Sequence, residues 1–260
     1  MAGSRESGLI LQDRDRHLLR ELGVMRLIDR EHAKIVAGFG STTRANTRLL
    51  ALSRAGLLSR FFVGTIGGGR KAIYTLTARG AAQVGMEAGI RRKRGQTVVG
   101  DLFVEHQTHI NSIYVAVKFG PMPSARVRRW ISFNRPVSRA ARLIPDGYTE
   151  IEASGETQCM FLEVDLGTEA LRTWDRKVRE YLQFAIGGDF ERRFHGKRFR
   201  VLVIANSDKR LANIRERVTR ATDKIFWFTT FESINRDGPW CPIWLRPRGN
   251  LRQSLLARSQ

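Results

Sequence analysis

Asp146, in Pro145-Asp146-Gly147, and the pair in Glu163-Val164-Asp165 are the residues whose types and spacing suit them best to chemistry. Glu163 and Asp165 stand two apart at the end of the apolar run Cys159-Met160-Phe161-Leu162, so on a strand both point to one face. Charges embedded at the end of such a strand cost too much to stay unpaired. If Asp146 ends the neighbouring strand, three carboxylates converge. Such a group either holds a divalent cation or pairs with nearby Arg and Lys. Magnesium takes one or two carboxylates together with water and substrate phosphate, and phosphodiester cleavage uses that arrangement. Asp146 and Glu163 are then the metal ligands and Mg²⁺ the cofactor; the ion-paired alternative needs none.

The elements that must position these residues can be read from hydropathy. Asp101–Phe119 is a helical stretch with Leu102, Ile110, Ile113, Tyr114 and Val117 as its packing face. His106 and His109 lie on one side of it, but no third ligand stands nearby, and capping or packing is the alternative to metal binding. Beyond Pro121 and Pro123, three strands are expected over Arg126–Phe133, Ala141–Ile151 and Gln158–Asp165, the last central in a sheet. A helix over Glu169–Ile186 turns Leu171, Trp174, Val178, Leu182 and Ala185 inward. Phe199–Ala205 is a buried strand, Lys209–Val218 a helix, Ile225–Thr230 a last strand, and Trp240–Trp244 an aromatic terminal segment.

The first 85 residues follow a different order. Asp13 is a plausible N-cap for a helix over Arg14–Leu22 ended by Gly23, and a second helix runs from Glu31 to Ala37. Ser41 caps a third, Thr42–Ala55, on which Ala45, Leu49 and Leu52 make a buried stripe. Arg44, Thr47, Arg48 and Ala51 fall on another face. Arg, Thr and Asn near a helix N-terminus suit phosphates and base edges in a major groove. Thr43, Arg44, Asn46, Thr47 and Arg48 are therefore the candidate DNA contacts, with a merely solvated face as the alternative. Leu57–Val63 and Ala72–Leu76 read as strands of a hairpin whose glycine-rich tip carries Arg70 and Lys71, able to approach a phosphate backbone. Thr77 caps a helix over Ala78–Val84.

The chain has 260 residues and a formal net charge of +20, with 42% hydrophobic residues, which excludes a largely disordered protein. Such a charge points to a polyanionic partner, nucleic acid before an anionic membrane. No run approaches the roughly 18–20 apolar residues of a membrane span. No secretory signal is visible after Met1. Cys159 and Cys241 form neither a disulfide framework nor a zinc motif, so a reducing, cytoplasmic setting is expected. The basic run Gly89–Gly95 reads as an interdomain linker.

Several phrases carry family resemblances. "RLLALSRAGLLSRF" and "YTLTARGAAQVG" resemble winged-helix regulators, and the helix-β-β-β-helix-β order with "PDG" and "LEVD" is similar to the PD-(D/E)xK nuclease superfamily. From about Leu9 to Pro247 the chain resembles the replication-relaxation family of plasmid and mobile-element proteins. The shared phrases are "SRAGLLSRF", "YTLTARG", "EHQTHINSIYVAV", "IPDGYTEI", "FLEVDLGTEALRTWDRKVREYLQF", "FRVLVIANSDKRLANIRE", "FWFTTFESI" and "PIWLRP". In the nuclease motif a lysine follows the acidic pair, and here Asp165 holds that place, where a carboxylate cannot stabilise developing negative charge. The resemblance makes Lys177, on the next helix, the substitute, with Asp146, Glu163 and Asp165 as the other catalytic candidates. Alternatively Asp165 pairs with Arg172, Arg176 or Lys177 and locks that helix to the sheet.

The expected fold is α/β, α+β overall. A winged helix-turn-helix over 9–85 is followed by a basic linker over 86–100, a restriction-endonuclease-like α/β domain over 101–247 and a basic tail over 248–260. The resemblance implies a DNA-binding protein of plasmid or mobile-element replication or relaxation, with double-stranded DNA as partner. The alternatives are a metal-dependent nuclease or nickase, a winged-helix transcriptional regulator, or an assembly factor recruiting replication or mobilisation proteins. No membrane partner is expected, and a homodimer is left open because no heptad seam marks one.

Overall fold

A computed structural model describes residues 9–65, 68–86, 100–121, 124–138 and 142–256. The basic run Gly89–Gly95, Ala141 and the last residues of the tail lie outside them. The second expected strand, Ala141–Ile151, begins only at Gly147, and residues 142–146 are not strand. The fold is mixed α/β and divides into two units, one through Val115 and one from Ala116.

The first unit opens with α1 (Asp13–Met25), α2 (Arg30–Val36) and α3 (Thr42–Arg54). The N-cap of α1 is Gln12 rather than Asp13; its amide donates to Asp15 Oδ2 at 2.7 Å. The helix runs through Gly23 and stops at Arg26, whose φ is 69°. Ser41 caps α3 as expected, accepting from Arg44 N at 3.2 Å, and Ala45, Leu49 and Leu52 are fully buried.

Strands β1 (Leu58–Gly64) and β2 (Arg70–Leu76) form an antiparallel hairpin. Ile28 extends it through a two-way bridge with Tyr74. Thr77 then caps the short α4 (Ala78–Ala82), and Gly80 is required there, because a Cβ would stand 2.1 Å from the carbonyl oxygen of Leu57.

Helix α5 (Asp101–Phe119) has the expected span, but its residues through Val115 belong to the first unit. Asn111 Nδ2 donates to the Leu27 carbonyl at 2.8 Å, His32 Nε2 meets Ser112 Oγ at 3.0 Å, and Tyr114 OH bonds Glu21. Val104 packs with Leu27 and Ile73, whereas Leu102, expected on the packing face, is exposed.

The second unit is built on a five-stranded sheet. Its strands are β3 (Ala125–Ile131), β4 (Gly147–Ala153) and β5 (Glu156–Asp165), then β6 (Arg200–Ala205) and β7 (Phe226–Thr230), in that spatial order. The first three are antiparallel and the last two continue from β5 in parallel. Parallel neighbours need crossovers, supplied by α6 (Arg172–Ile186) with α7 (Asp189–Phe194), and by α8 (Asp208–Ala221). The short α9 (Phe231–Asp237) follows β7.

Trp174, Val178, Tyr181 and Phe184 of α6 pack on Phe161, Val201, Val203, Phe226 and Phe228 of the sheet. Phe161 is the hub, meeting Phe194 and Phe199 edge-on at 5.5 and 5.1 Å. Along β3, Arg126 and Arg128 pair with Glu152, and Arg129 with Glu150, of the neighbouring strand. On the far side the chain returns along β7, where Phe228 bridges Leu245.

Candidate functional site

Phe161, Glu163 and Asp165 share one face of β5, and α6 crosses that face. The two carboxylates nevertheless enter different clusters. Glu163, 1% exposed, accepts from Lys177 Nζ at 2.9 Å on one oxygen and from Tyr181 OH at 2.6 Å on the other. Asp146, just before β4, accepts from the Val164 amide at 2.7 Å, so its side chain takes a bond that a strand carbonyl would otherwise make.

Lys177 also reaches Glu169 at 3.3 Å and lies 5.2 Å from the centroid of Trp174. Burial alone would depress Lys177, but Glu163, Asp146 and Glu169 outweigh it and hold the amine protonated well above its usual range. Burial, with Asp146 adding to it, pushes Glu163 up to about 6 against the pull of Lys177 and Tyr181. Asp146, Glu163 and Lys177 thus come together as the sequence suggested.

Asp165 does not join them. Its oxygens take a two-pronged contact from Arg210 on α8 at 2.7 and 2.9 Å, the Trp174 indole N–H at 2.8 Å and the Gly167 amide at 2.8 Å. The expected partners Arg172 and Arg176 are exposed on α6, and Arg176 instead faces Glu180. Burial would raise Asp165, but Arg210, Trp174 and Gly167 hold its pKa below the ordinary value. Asp165 therefore fastens α6 and α8 to the end of β5.

Mg²⁺ fits this group poorly. Both oxygens of the buried Glu163 are committed to protein donors, and the Lys177 ammonium already sits against Oε2. Among the described residues no set of three or more His, Cys, Asp or Glu is arranged to hold a metal. His109 is turned back to the Glu105 carbonyl at 2.9 Å. Both cysteines are free, Cys159 buried and Cys241 exposed.

The basic surface of the first unit is built from fewer of the expected residues and from some others. Thr43, Arg44 and Thr47 are exposed along the first turns of α3, and Asn46 is half-buried beside them. Arg48 is withdrawn. Its guanidinium clamps the fully buried Asp15 of α1, with Nε at 2.8 Å from Oδ1, and also bonds the Ile10 carbonyl at 2.8 Å. Lys71 likewise folds down onto Asp29, which is 1% exposed, caps α2 and lies 3.1 Å from His32 Nδ1. Arg70 stays outside.

Sequence reading missed Arg14, Arg60 and Phe62. Arg14 stacks on Phe39 at 4.5 Å and lines a shallow depression with Thr43, Arg44 and Thr47, to which Arg48 shows only its partly buried side. Arg60 and Arg70 flank the exposed Phe62 at 5.2 and 5.5 Å. The alternation of Arg60, Phe62 and Gly64 along one strand face was the available signal.

The buried aspartates give this unit a pH dependence. Burial would raise Asp29, yet His32 and Lys71 outweigh it and hold its pKa far below the ordinary 3.8. Asp15 is lowered in the same sense, its burial outweighed by Arg48 and the Gln12 amide. Depressed carboxylates add stability that is full above the unfolded value and is lost as pH falls below it. The protection of α1–α3 amides, their exchange taken relative to the intrinsic rate at each pH, is therefore expected to stay high from neutral pH to about 4 and to fall steeply below. Asp29→Asn should flatten that profile, and an unchanged acid limb in this variant would refute the assignment.

A family model described as replication-relaxation matches residues 18–200. No curated protein and no solved structure matches the chain. Among the described residues no helix is long and apolar enough to cross a membrane.

Proposed function

The chain belongs to the replication-relaxation family, which ties it to replication or relaxation of plasmid and mobile-element DNA, and we propose that its first unit is a winged helix gripping duplex DNA. The observation that carries this reading is the split character of α3 and the hairpin. Ala45, Leu49 and Leu52 are fully buried while Thr43, Arg44 and Thr47 are exposed, and Arg60, Phe62 and Arg70 stand out from the wing. In this reading Arg44, Thr47 and Asn46 enter a major groove, with Arg14 beside them, and Arg60 and Arg70 hold the adjacent backbone. Arg48 and Lys71 act indirectly, by fixing α1 against α3 and the wing against α2.

We read the second unit as a PD-(D/E)xK-like scaffold in which Asp146, Glu163 and Lys177 form an ion cluster that sets α6 on the sheet. No catalytic step is assigned to it.

Fluorescence anisotropy of the full chain on a labelled mixed-sequence duplex, across a salt series, tests the binding reading. Affinity should fall steeply with salt, and Arg60→Ala and Arg70→Ala should each lower the slope of log K against log salt by about 1. Arg44→Ala should weaken binding by about 1–3 kcal/mol on a preferred site. Unaltered slopes and affinity in all three variants would overturn the proposal.

A further inference from the structure

The far end of the second unit's sheet, at the start of β5 and β6, holds a cavity of about 560 Å³. It lies on the order of 16 Å along β5 from Glu163, and it shares no residue with the carboxylate cluster. Lys197, Arg198, Arg200 and Arg246 line it, with Glu156 as the one acidic residue of the described lining.

Arg200 and Arg246 both stack on Trp227, each 4.7 Å from the ring centroid. Their hydrogen bonds go to neutral oxygens. Arg200 reaches Gln158 Oε1 at 2.9 Å and the Leu255 carbonyl, and Arg246 reaches the Asp223 carbonyl at 3.3 Å. Neither meets a carboxylate within ion-pairing distance among the described residues, and the Asp223 carboxylate offsets the burial of Arg246 only in part, from farther away. Arg48 and Arg210 have an ion-pair partner in Asp15 and Asp165, whereas Arg215, like Arg200 and Arg246, bonds neutral oxygens. What sets Arg200 and Arg246 apart is that the two flank one ring and line one cavity. The Trp227 indole N–H is also buried and finds no acceptor among the described residues.

Two like charges brought together in a partly dry site repel, and only a counter-charge makes the arrangement favourable. Burial lowers the pKa of Arg200, and the neighbouring Arg246 lowers it further. Arginine forks match phosphate oxygens two at a time. The cavity is larger than a phosphate group needs and falls within the range of small-molecule sites.

We propose that the Arg200–Arg246–Trp227 cavity binds the phosphate of a nucleotide, with Lys197 and Arg198 drawing the anion in from the rim. A free mononucleotide and the 5′-phosphorylated end of a DNA strand present the same group. The site is separate from the helix–hairpin surface of the first unit, so the two stand or fall independently.

Isothermal titration of the full chain distinguishes the sources. The probes are thymidine 5′-monophosphate against thymidine, and 5′-phosphorylated against 5′-hydroxyl oligothymidylate. A gain of about tenfold or more from the phosphate is expected in at least one pair, and the pair that shows it names the source. Arg246→Gln should lose most of that gain. The combined Lys197→Ala and Arg198→Ala variant, altered only at exposed positions, should lose severalfold while keeping its thermal midpoint. Equal affinity with and without phosphate in both pairs would overturn the proposal. So would a phosphate preference that survives in both the Arg246→Gln and the rim variants.

Discussion

Lys177→Met is expected to destabilise the second unit by about 3–5 kcal/mol, because the buried Glu163, already pushed up to about 6, loses its cation and must either stay charged and unpaired or take up a proton. The amine is protonated at every ordinary pH, so the loss should be present across the neutral range. Adding Glu163→Gln should recover most of the stability, since removing both charges is far less costly than removing one. Urea unfolding followed by tryptophan fluorescence reads this directly. All five tryptophans lie at or beyond Trp130, and Trp174 is in contact with the lysine. A single variant as stable as the parent, or a double variant as unstable as the single, would remove the ion-cluster reading. Incubating supercoiled plasmid with the folded parent and Mg²⁺ adds a second reading of the same residues. Nicking that Glu163→Gln abolishes would make the cluster catalytic.

Arg48→Glu should unfold the first unit rather than merely weaken DNA binding. Asp15 is fully buried and depends on that guanidinium, so removal alone costs about 3–5 kcal/mol and a new carboxylate adds repulsion. A unit of this size has only about 5–15 kcal/mol to lose. Amide exchange in α1 and α3 should become fast while tryptophan fluorescence, confined to the second unit, is unmoved. Arg44→Glu, on an exposed residue one turn earlier, should leave exchange unchanged and abolish duplex binding. If both variants stay folded and lose binding alike, Arg48 faces the nucleic acid after all.

This contrast marks where the sequence was legible. Helix caps such as Ser41 and Thr77 depend on neighbours three residues away, and both could be found by inspection. The buried stripe of α3 and the shared face of Glu163 and Asp165 follow from period alone. Arg48 reads as an exposed groove residue because its partner is 33 positions away on another helix. Asp165 was matched to Arg172, Arg176 or Lys177 in the first turns of α6, whereas Arg210 reaches it from 45 residues downstream. Such pairs are decided by how helices cross, which local pattern does not encode. The short α7 and α9 escaped notice for another reason. Each fits within two turns, too short for periodicity to register. Helices α2 and α4 are as short but follow the cap residues Asp29 and Thr77, whereas α7 has no side-chain cap and Thr230, which caps α9, ends β7.

The order of the sheet leaves β3 at its outer margin, bonded on one side to β4 alone among the described strands. An unpaired margin of this kind is a template onto which a second molecule can add its own backbone. Arg126, Arg128 and Arg129, held in register by Glu150 and Glu152, put a row of cations along that template. At the opposite margin Leu245 already covers β7. The ladder of ion pairs thus guards the protein against polymerising through its own sheet.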